Sequence, residues 1–204
     1  MPISSRNGEA EQLPPGLKHA NDIITHDEEL ELIRLIEACG PKRYPGDEQG
    51  GLSAISFGWN YDLATGEFSL CDPIPEAFTA VRQLAARFAG FAPDNFAQCL
   101  FNRYEKGAEI PWHIDKPVWE HVIGISLGSP ATMHFRKPLT NGFEHAVIAL
   151  PPRSIYFLSD EVRHDFAHSI PPVAERRWSI TFRTLSAEGE KRRAVLEETG
   201  KSKQ

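Results

Sequence analysis

Seven short stretches carry the reading of the fold: FAQCLFNRY (96–104), HVIGISLG (121–128), ATMHFRK (131–137), HAVIALP (145–151), SIYFLS (154–159), FAHSI (166–170) and RWSITFRTL (177–185). Each is apolar, rich in β-branched or aromatic residues, and bounded by turn signals. Short strands at this spacing specify a β-sandwich or barrel rather than βαβ units. The last stretch is the most informative. Side chains alternate across a strand, so Trp178, Ile180 and Phe182 share one face and Arg177, Ser179, Thr181 and Arg183 share the other. Two arginines facing the inside of a small barrel are costly unless an anion meets them. A dicarboxylic acid would offer one carboxylate to each.

Upstream of this region the periodicity is helical. Thr25 precedes HDEELELIRLIEACG, in which Leu30, Ile33, Leu35, Ile36 and Ala38 recur near helical spacing. Acids crowd the first turn and Gly40-Pro41 closes it, predicting a helix over 26–39. Residues 40–51 read as a mobile, turn-rich loop and 52–60 (LSAISFGWN) as a strand, followed by a turn at Asp62–Gly66 and a short second strand. A further helix is predicted over 75–90. Residues 1–20 read as a flexible N-terminal segment, residues 21–186 as a single domain with its core at 96–185, and residues 187–204 as a charged tail. The fold class is therefore α+β, mainly β: a jelly roll with an N-terminal helical flank.

The chain has 204 residues and is 41% hydrophobic, which suits one sizeable core. Its longest apolar runs, such as Val122 to Leu127, are too short to cross a bilayer, and no membrane association is expected. The first residues lack a basic stretch followed by an apolar one, so no signal peptide is expected. Cys39, Cys71 and Cys99 stand far apart with no CxxC pair, which predicts free thiols and a cytoplasmic setting. The net charge is −6, with the acidic excess in the first half. An acidic total argues against strong non-specific binding to a polyanion, while leaving room for a basic groove in the second half.

Trp112-His113-Ile114-Asp115 contains an HxD pair. On a strand, positions i and i+2 point the same way, so an imidazole and a carboxylate converge. A distant third histidine would complete a two-histidine, one-carboxylate face with open positions, the arrangement suited to non-haem Fe(II). The remaining histidines are 19, 26, 121, 134, 145, 164 and 168. His19 and His26 lie in the helical flank. His121 and His134 lie on strands with no partner pattern behind them. His168 stands at an apolar strand end before two prolines.

Asn102-Arg103-Tyr104, Glu109-Ile110 with His113 and Asp115, Ile125-Ser126-Leu127, His168, and Arg177-x-Ser179-x-Thr181-x-Arg183 together resemble the AlkB family of Fe(II)/2-oxoglutarate dioxygenases across about residues 52–185. The resemblance implies a double-stranded β-helix with His113, Asp115 and His168 as iron ligands. It implies Arg183, Arg177 and Ser179 on the carboxylates of 2-oxoglutarate, with Asn102 and Tyr104 touching the same cosubstrate. Fe(II), 2-oxoglutarate and O2 are the implied cofactors, and succinate and CO2 the implied co-products. An N-methyl substrate would release formaldehyde.

The resemblance also places a substrate lid at about 40–70. Trp59, Tyr61, Trp112 and Arg163 are the expected substrate contacts, with Phe57 on the face of Trp59 and Tyr61, and with Lys42 and Arg43 available to phosphate. The implied partner is nucleic acid carrying alkylated bases, single-stranded DNA or RNA, engaged by a monomer. Two positions depart from base-repair members: Pro117 stands where some have an acid, and Ser179 where they have Asn. The run Lys116-Pro-Val-Trp-Glu120 with Ile125-Ser-Leu is also similar to homologues that hydroxylate tRNA wobble bases, which keeps an RNA- or protein-modifying hydroxylase as the alternative.

Overall fold

A computed structural model describes residues 13–44 and 51–201. Two antiparallel sheets face each other. The larger holds β1 (Leu17–Ala20), β2 (Lys42–Arg43), β3 (Leu52–Tyr61), β4 (Phe68–Leu70), β5 (Phe96–Tyr104), β7 (Trp119–Gly128), β10 (Ser154–Leu158) and β12 (Arg177–Leu185). Its order is β1-β10-β7-β12-β5-β3-β2, with β4 paired to β3. The smaller sheet holds β6 (Ile110–His113), β8 (Ala131–Pro138), β9 (Phe143–Leu150) and β11 (Ala167–Ile170), in the order β6-β11-β8-β9. The jelly roll read from the strand spacing is therefore the fold, with the helical flank on one face.

That flank is α1 (His26–Ala38) and α2 (Thr79–Ala89). Thr25 caps α1: its hydroxyl accepts from the Glu28 N–H, while the Glu28 carboxylate accepts from the Thr25 N–H at 2.7 Å. Leu32 and Ile36 of α1 and Val81 and Ala85 of α2 pack on Phe101, Ile125, Ile180 and Phe182 of the larger sheet. Removing these apolar faces from water is the main source of stability. The opposite face of the same sheet contributes Tyr104, Val122 and Tyr156 to a second core, closed by Met133, Phe135, Ile148 and Leu150 of the smaller sheet. Strand β12 lies between β7 and β5, with Trp178, Ile180 and Phe182 on the helix side. Its arginine face is thereby forced into the space between the sheets.

Three expectations change. Leu17–Ala20, assigned to a flexible leader, form an edge strand on β10, because Leu17 is buried and its backbone pairs with Leu158. Residues 1–12 lie outside the described residues, as do 45–50 of the expected loop; Lys42–Arg43 of that loop pair with Ser53 and Ala54. The charged tail is helical over α4 (Ala187–Lys201), where ion pairs such as Arg192–Glu188 bridge successive turns. All three cysteines are free, as expected. Among the described residues, no helix is long and apolar enough to cross a membrane.

Gly124 of β7 faces Tyr156, and a Cβ there would come within 2.1 Å of the phenol ring. Gly124→Ala is expected to lower the unfolding free energy by about 2 kcal/mol through overpacking, measurable by denaturant titration; an unchanged midpoint would contradict the tight β7–β10 contact.

Candidate metal centre

His113 closes β6, and His168 lies opposite it on β11 in register. Their imidazole centroids are 4.2 Å apart. Asp115 joins them, and one ligand atom from each of the three residues lies within 4.8 Å of the others. The strand argument holds for His113 but not for Asp115, which lies beyond the end of β6. A tertiary contact replaces the strand as its guide. Arg183 of β12 donates from Nη2 to Asp115 Oδ1 at 2.9 Å, and from Nη1 to Gln98 Oε1 at 2.9 Å.

These bonds select the ligand atoms. Asp115 Oδ1 is taken by Arg183, whereas Oδ2 is buried with no hydrogen-bond partner and sits 3.9 Å from His168 Nε2. A buried carboxylate oxygen without a partner is costly unless a cation meets it. The Nδ1 of His113 donates to the Pro111 carbonyl at 2.9 Å, which leaves Nε2 with its lone pair free. Burial alone would raise the Asp115 pKa, but Arg183 and the two imidazoles hold it well below the usual carboxylate range. Burial, reinforced by His113, pushes His168 down to about 3 against the pull of Asp115. One carboxylate and two imidazoles are the donor set that Fe(II) takes.

The loop after Asp115 is held from two sides. Arg163, buried in α3 (Asp160–His164), donates to the carbonyls of Lys116 and Trp119. Ser186 donates to the Pro117 carbonyl from its hydroxyl and to the Val118 carbonyl from its N–H. The opening of α4 then passes so close that a Cβ on Gly189 would lie 2.3 Å from the Val118 oxygen. Arg163 was expected near metal or substrate. Its guanidinium is turned to the loop that follows Asp115, on the Lys116 and Trp119 carbonyls.

The second polar cluster lies further along the arginine face. In the β12–β5 register, Arg177 faces Tyr104, Ser179 faces Asn102 and Arg183 faces Gln98. Arg177 is 1% exposed, lies with Cζ 4.5 Å from the Tyr104 ring centroid, and donates to Ser126 Oγ at 3.0 Å. Its Nε and Nη1 are buried without partners, as is Nε of Arg183. Asn102 Nδ2 donates to Ser179 Oγ at 3.3 Å, and the Tyr104 hydroxyl is 3.4 Å from the same oxygen. A buried guanidinium with two unpartnered nitrogens beside a phenol, an amide and a hydroxyl has the donors that would fit a carboxylate. The residues read from sequence thus converge here. Gln98, absent from the sequence reading, could have been found from the register opposite Arg183.

Two expected substrate contacts are not at the site. Trp112 neighbours His113 on β6 and so projects to the other face, where the Arg136 guanidinium lies 4.3 Å from its ring centroid. Trp59 is buried and stacked on Phe68, beside Val118 and Trp119. Phe57 is buried in the helix-side core. Tyr61 does lie at the metal loop, with Lys116 Nζ 5.9 Å and Arg192 Cζ 5.8 Å from its ring centroid.

Residues 54–193 match the 2OG-Fe(II) oxygenase superfamily. The chain belongs to it. The oxygenase is 30% identical over 181 residues to mouse tRNA (carboxymethyluridine(34)-5-O)-methyltransferase ALKBH8, covering 82% of this chain and 26% of that protein. It is 30% identical over 147 residues to the alpha-ketoglutarate-dependent dioxygenase AlkB of Salmonella typhimurium, covering 63% of this chain and 67% of that one. Among solved structures it superposes on OsALKBH1 with a TM-score of 0.63 at 19% identity, covering 85% of this chain and 98% of the other, which speaks for the fold alone. It spans only about a quarter of the mouse relative. The protein is an AlkB-like dioxygenase whose cofactors are Fe(II), 2-oxoglutarate and O2.

The depressed pKa of His168 has a consequence for the metal-free enzyme. Between pH 6.5 and about 3 the unfolded chain binds this proton and the folded chain does not, so stability falls as pH falls through that window. His168 alone is expected to remove up to about 1.4 kcal/mol per pH unit there. Denaturant titrations at stepped pH read this directly; a flat profile from pH 6 to 4.5 would contradict a neutral, buried His168.

Proposed function

We propose that this oxygenase, acting as a cytoplasmic monomer, demethylates alkylated bases in single-stranded DNA or RNA, with succinate, CO2 and formaldehyde as products. The observation that carries the nucleic-acid assignment is the rim beside the metal loop: Tyr61, with Lys116 and Arg192 on its ring. An aromatic ring flanked by two cations offers a stacking surface for a base and charge for the adjoining phosphates. The relationship to AlkB supports the same reading.

In this reading His113 Nε2, Asp115 Oδ2 and His168 Nε2 hold the iron. Arg177, with Tyr104, Asn102 and Ser179, takes one carboxylate of 2-oxoglutarate, and Arg183 takes the other at the metal end. Bound there, the iron supplies the redox chemistry that couples decarboxylation of 2-oxoglutarate to hydroxylation of a substrate C–H bond. The residues bind, orient and exclude water. Arg183 keeps Asp115 ionised and turned so that Oδ2 alone is free. Arg163 and Ser186 keep the 116–119 loop from carrying Asp115 away.

A second reading, hydroxylation of a tRNA base, is favoured by the larger share of this chain aligned with the mouse relative, whose name makes tRNA its substrate. Pro117 also favours it: the proline offers no carboxylate to accept from a base amino group, and its carbonyl is bound to Ser186.

Incubation with methylated oligonucleotides, Fe(II), ascorbate and 2-oxoglutarate is expected to yield formaldehyde and unmarked bases. Succinate formation with every oligonucleotide unchanged would overturn the demethylase reading. His168→Ala is expected to abolish turnover and also the thermal stabilisation given by Ni(II). Arg177→Ala and Arg183→Ala are each expected to raise the KM for 2-oxoglutarate more than tenfold, against no change for Lys137→Ala, whose side chain pairs with Glu161. Equal effects of the three would remove the arginines from the cosubstrate site.

A further inference from the structure

The outer face of the smaller sheet is unlike the rest of the surface. Strands β8, β9 and β11 turn Phe135, Ile148 and His168 inward. The alternate positions, together with Trp112 of β6, therefore project outward. They carry His134 and Arg136 on β8, and Phe143, His145 and Val147 on β9. Trp112 is 37% exposed, Phe143 49% and Val147 41%. A tryptophan and a phenylalanine left in water on one sheet face are a cost that folding does not require.

The charge of this face runs against that of the chain. The protein carries −6 overall, yet among the described residues of these outward rows there is no acidic side chain. The one carboxylate within β9, Glu144, alternates with Phe143 and His145 and so belongs to the opposite face. Arg136 makes no ion pair among the described residues. Its guanidinium lies 4.3 Å from the Trp112 ring centroid and 5.1 Å from that of Phe143. Two rings thus hold one guanidinium, with His134 6.5 Å from Trp112 and His145 6.0 Å from Phe143.

We propose that this face is a second nucleic-acid contact, taking the single-stranded stretch that flanks the target base, with bases stacked on Trp112 and Phe143 and phosphates on Arg136. The proposal rests on the nucleic-acid reading above. Charge complementarity selects the occupant: exposed aromatics around an arginine, on a face free of carboxylates among the described residues, match a strand of stacked bases and phosphates. Position fits as well. Trp112 and His113 are consecutive on β6, so the face lies one sheet thickness from the iron ligands, and a strand that delivers a base to the metal has its flank nearby.

The test is fluorescence anisotropy with a labelled oligothymidylate of about 15 nucleotides, long enough to cover one such surface. The full-length protein is compared with Arg136→Glu and Phe143→Ala. A methylated trinucleotide, too short to reach the outer face, serves as the turnover substrate. Both variants are expected to bind the long strand at least about tenfold more weakly, Arg136→Glu with a shallower salt dependence, and to process the trinucleotide at the wild-type rate. Wild-type affinity in both variants overturns the outer face while leaving the proposed reaction standing. A wild-type protein that neither binds nor modifies any oligonucleotide overturns the nucleic-acid reading itself, and the proposal with it. Light scattering on the same samples adds one outcome: a wild-type dimer that Arg136→Glu dissociates would give the face to a second copy of the chain and overturn the proposal. Thermal melts confirm that the exposed substitutions leave the fold intact.

Discussion

The ion pair between Arg183 and Asp115 joins the two sheets at the one place where the chemistry needs them joined. Arg183 comes from the middle of the larger sheet, and Asp115 follows the first strand of the smaller one. Both side chains are largely buried, at 13% and 8% exposure. Removing one partner of such a pair costs about 3–5 kcal/mol, because the other charge is left buried and alone. The pair does more than hold two layers together. It occupies one carboxylate oxygen and so decides which oxygen remains for a metal. It also fixes a residue that no strand holds.

The same constraint explains why the interior is polar where cores are usually apolar. Strand β12 must give Ile180 and Phe182 to the helix-side core, and the alternation of side chains then places Arg177 and Arg183 between the sheets. Arg177 is the largest fully buried side chain among the described residues, and two of its nitrogens have no partner. The apolar clusters on both sides carry the stability that allows such a cost. Of the buried side-chain polar atoms without a partner among the described residues, those of Asp115, Arg177 and Arg183 gather at this one place, as expected of a functional site. Around it, Arg163 of α3 and Ser186, just before α4, fasten the loop after Asp115 through its backbone carbonyls.

Much of this was legible beforehand. The alternation in RWSITFRTL set the two faces of β12, and the spacing of short apolar runs set the jelly roll. The match to AlkB-type motifs chose His168, which the structure places opposite His113 in register. Where the reading failed, it failed for physical reasons. Alternation with Tyr61 in the expected lid predicts that Trp59 contacts substrate, and the resemblance predicts the same for Trp112 at the metal site. One is sealed in a cluster with Phe68 and Trp119, and the other is turned away by the strand period. The Leu17–Ala20 strand was missed because its partner, β10, lies more than a hundred residues away in sequence, and local composition carries no trace of it.

By itself the sequence determined the strands of the jelly roll, the helices α1 and α2, the arginine face and, through the family resemblance, the three candidate ligands, because each depends on local periodicity or on a motif of fixed spacing. The tertiary structure alone decided that Asp115 presents Oδ2, that the His113 tautomer leaves Nε2 free, that α4 closes on the metal loop, and that Trp112 faces outward beside Arg136. Those outcomes depend on which side chains meet across sheets. Such meetings bring together residues far apart in the chain, where hydrogen bonds and burial, rather than spacing, choose the partner.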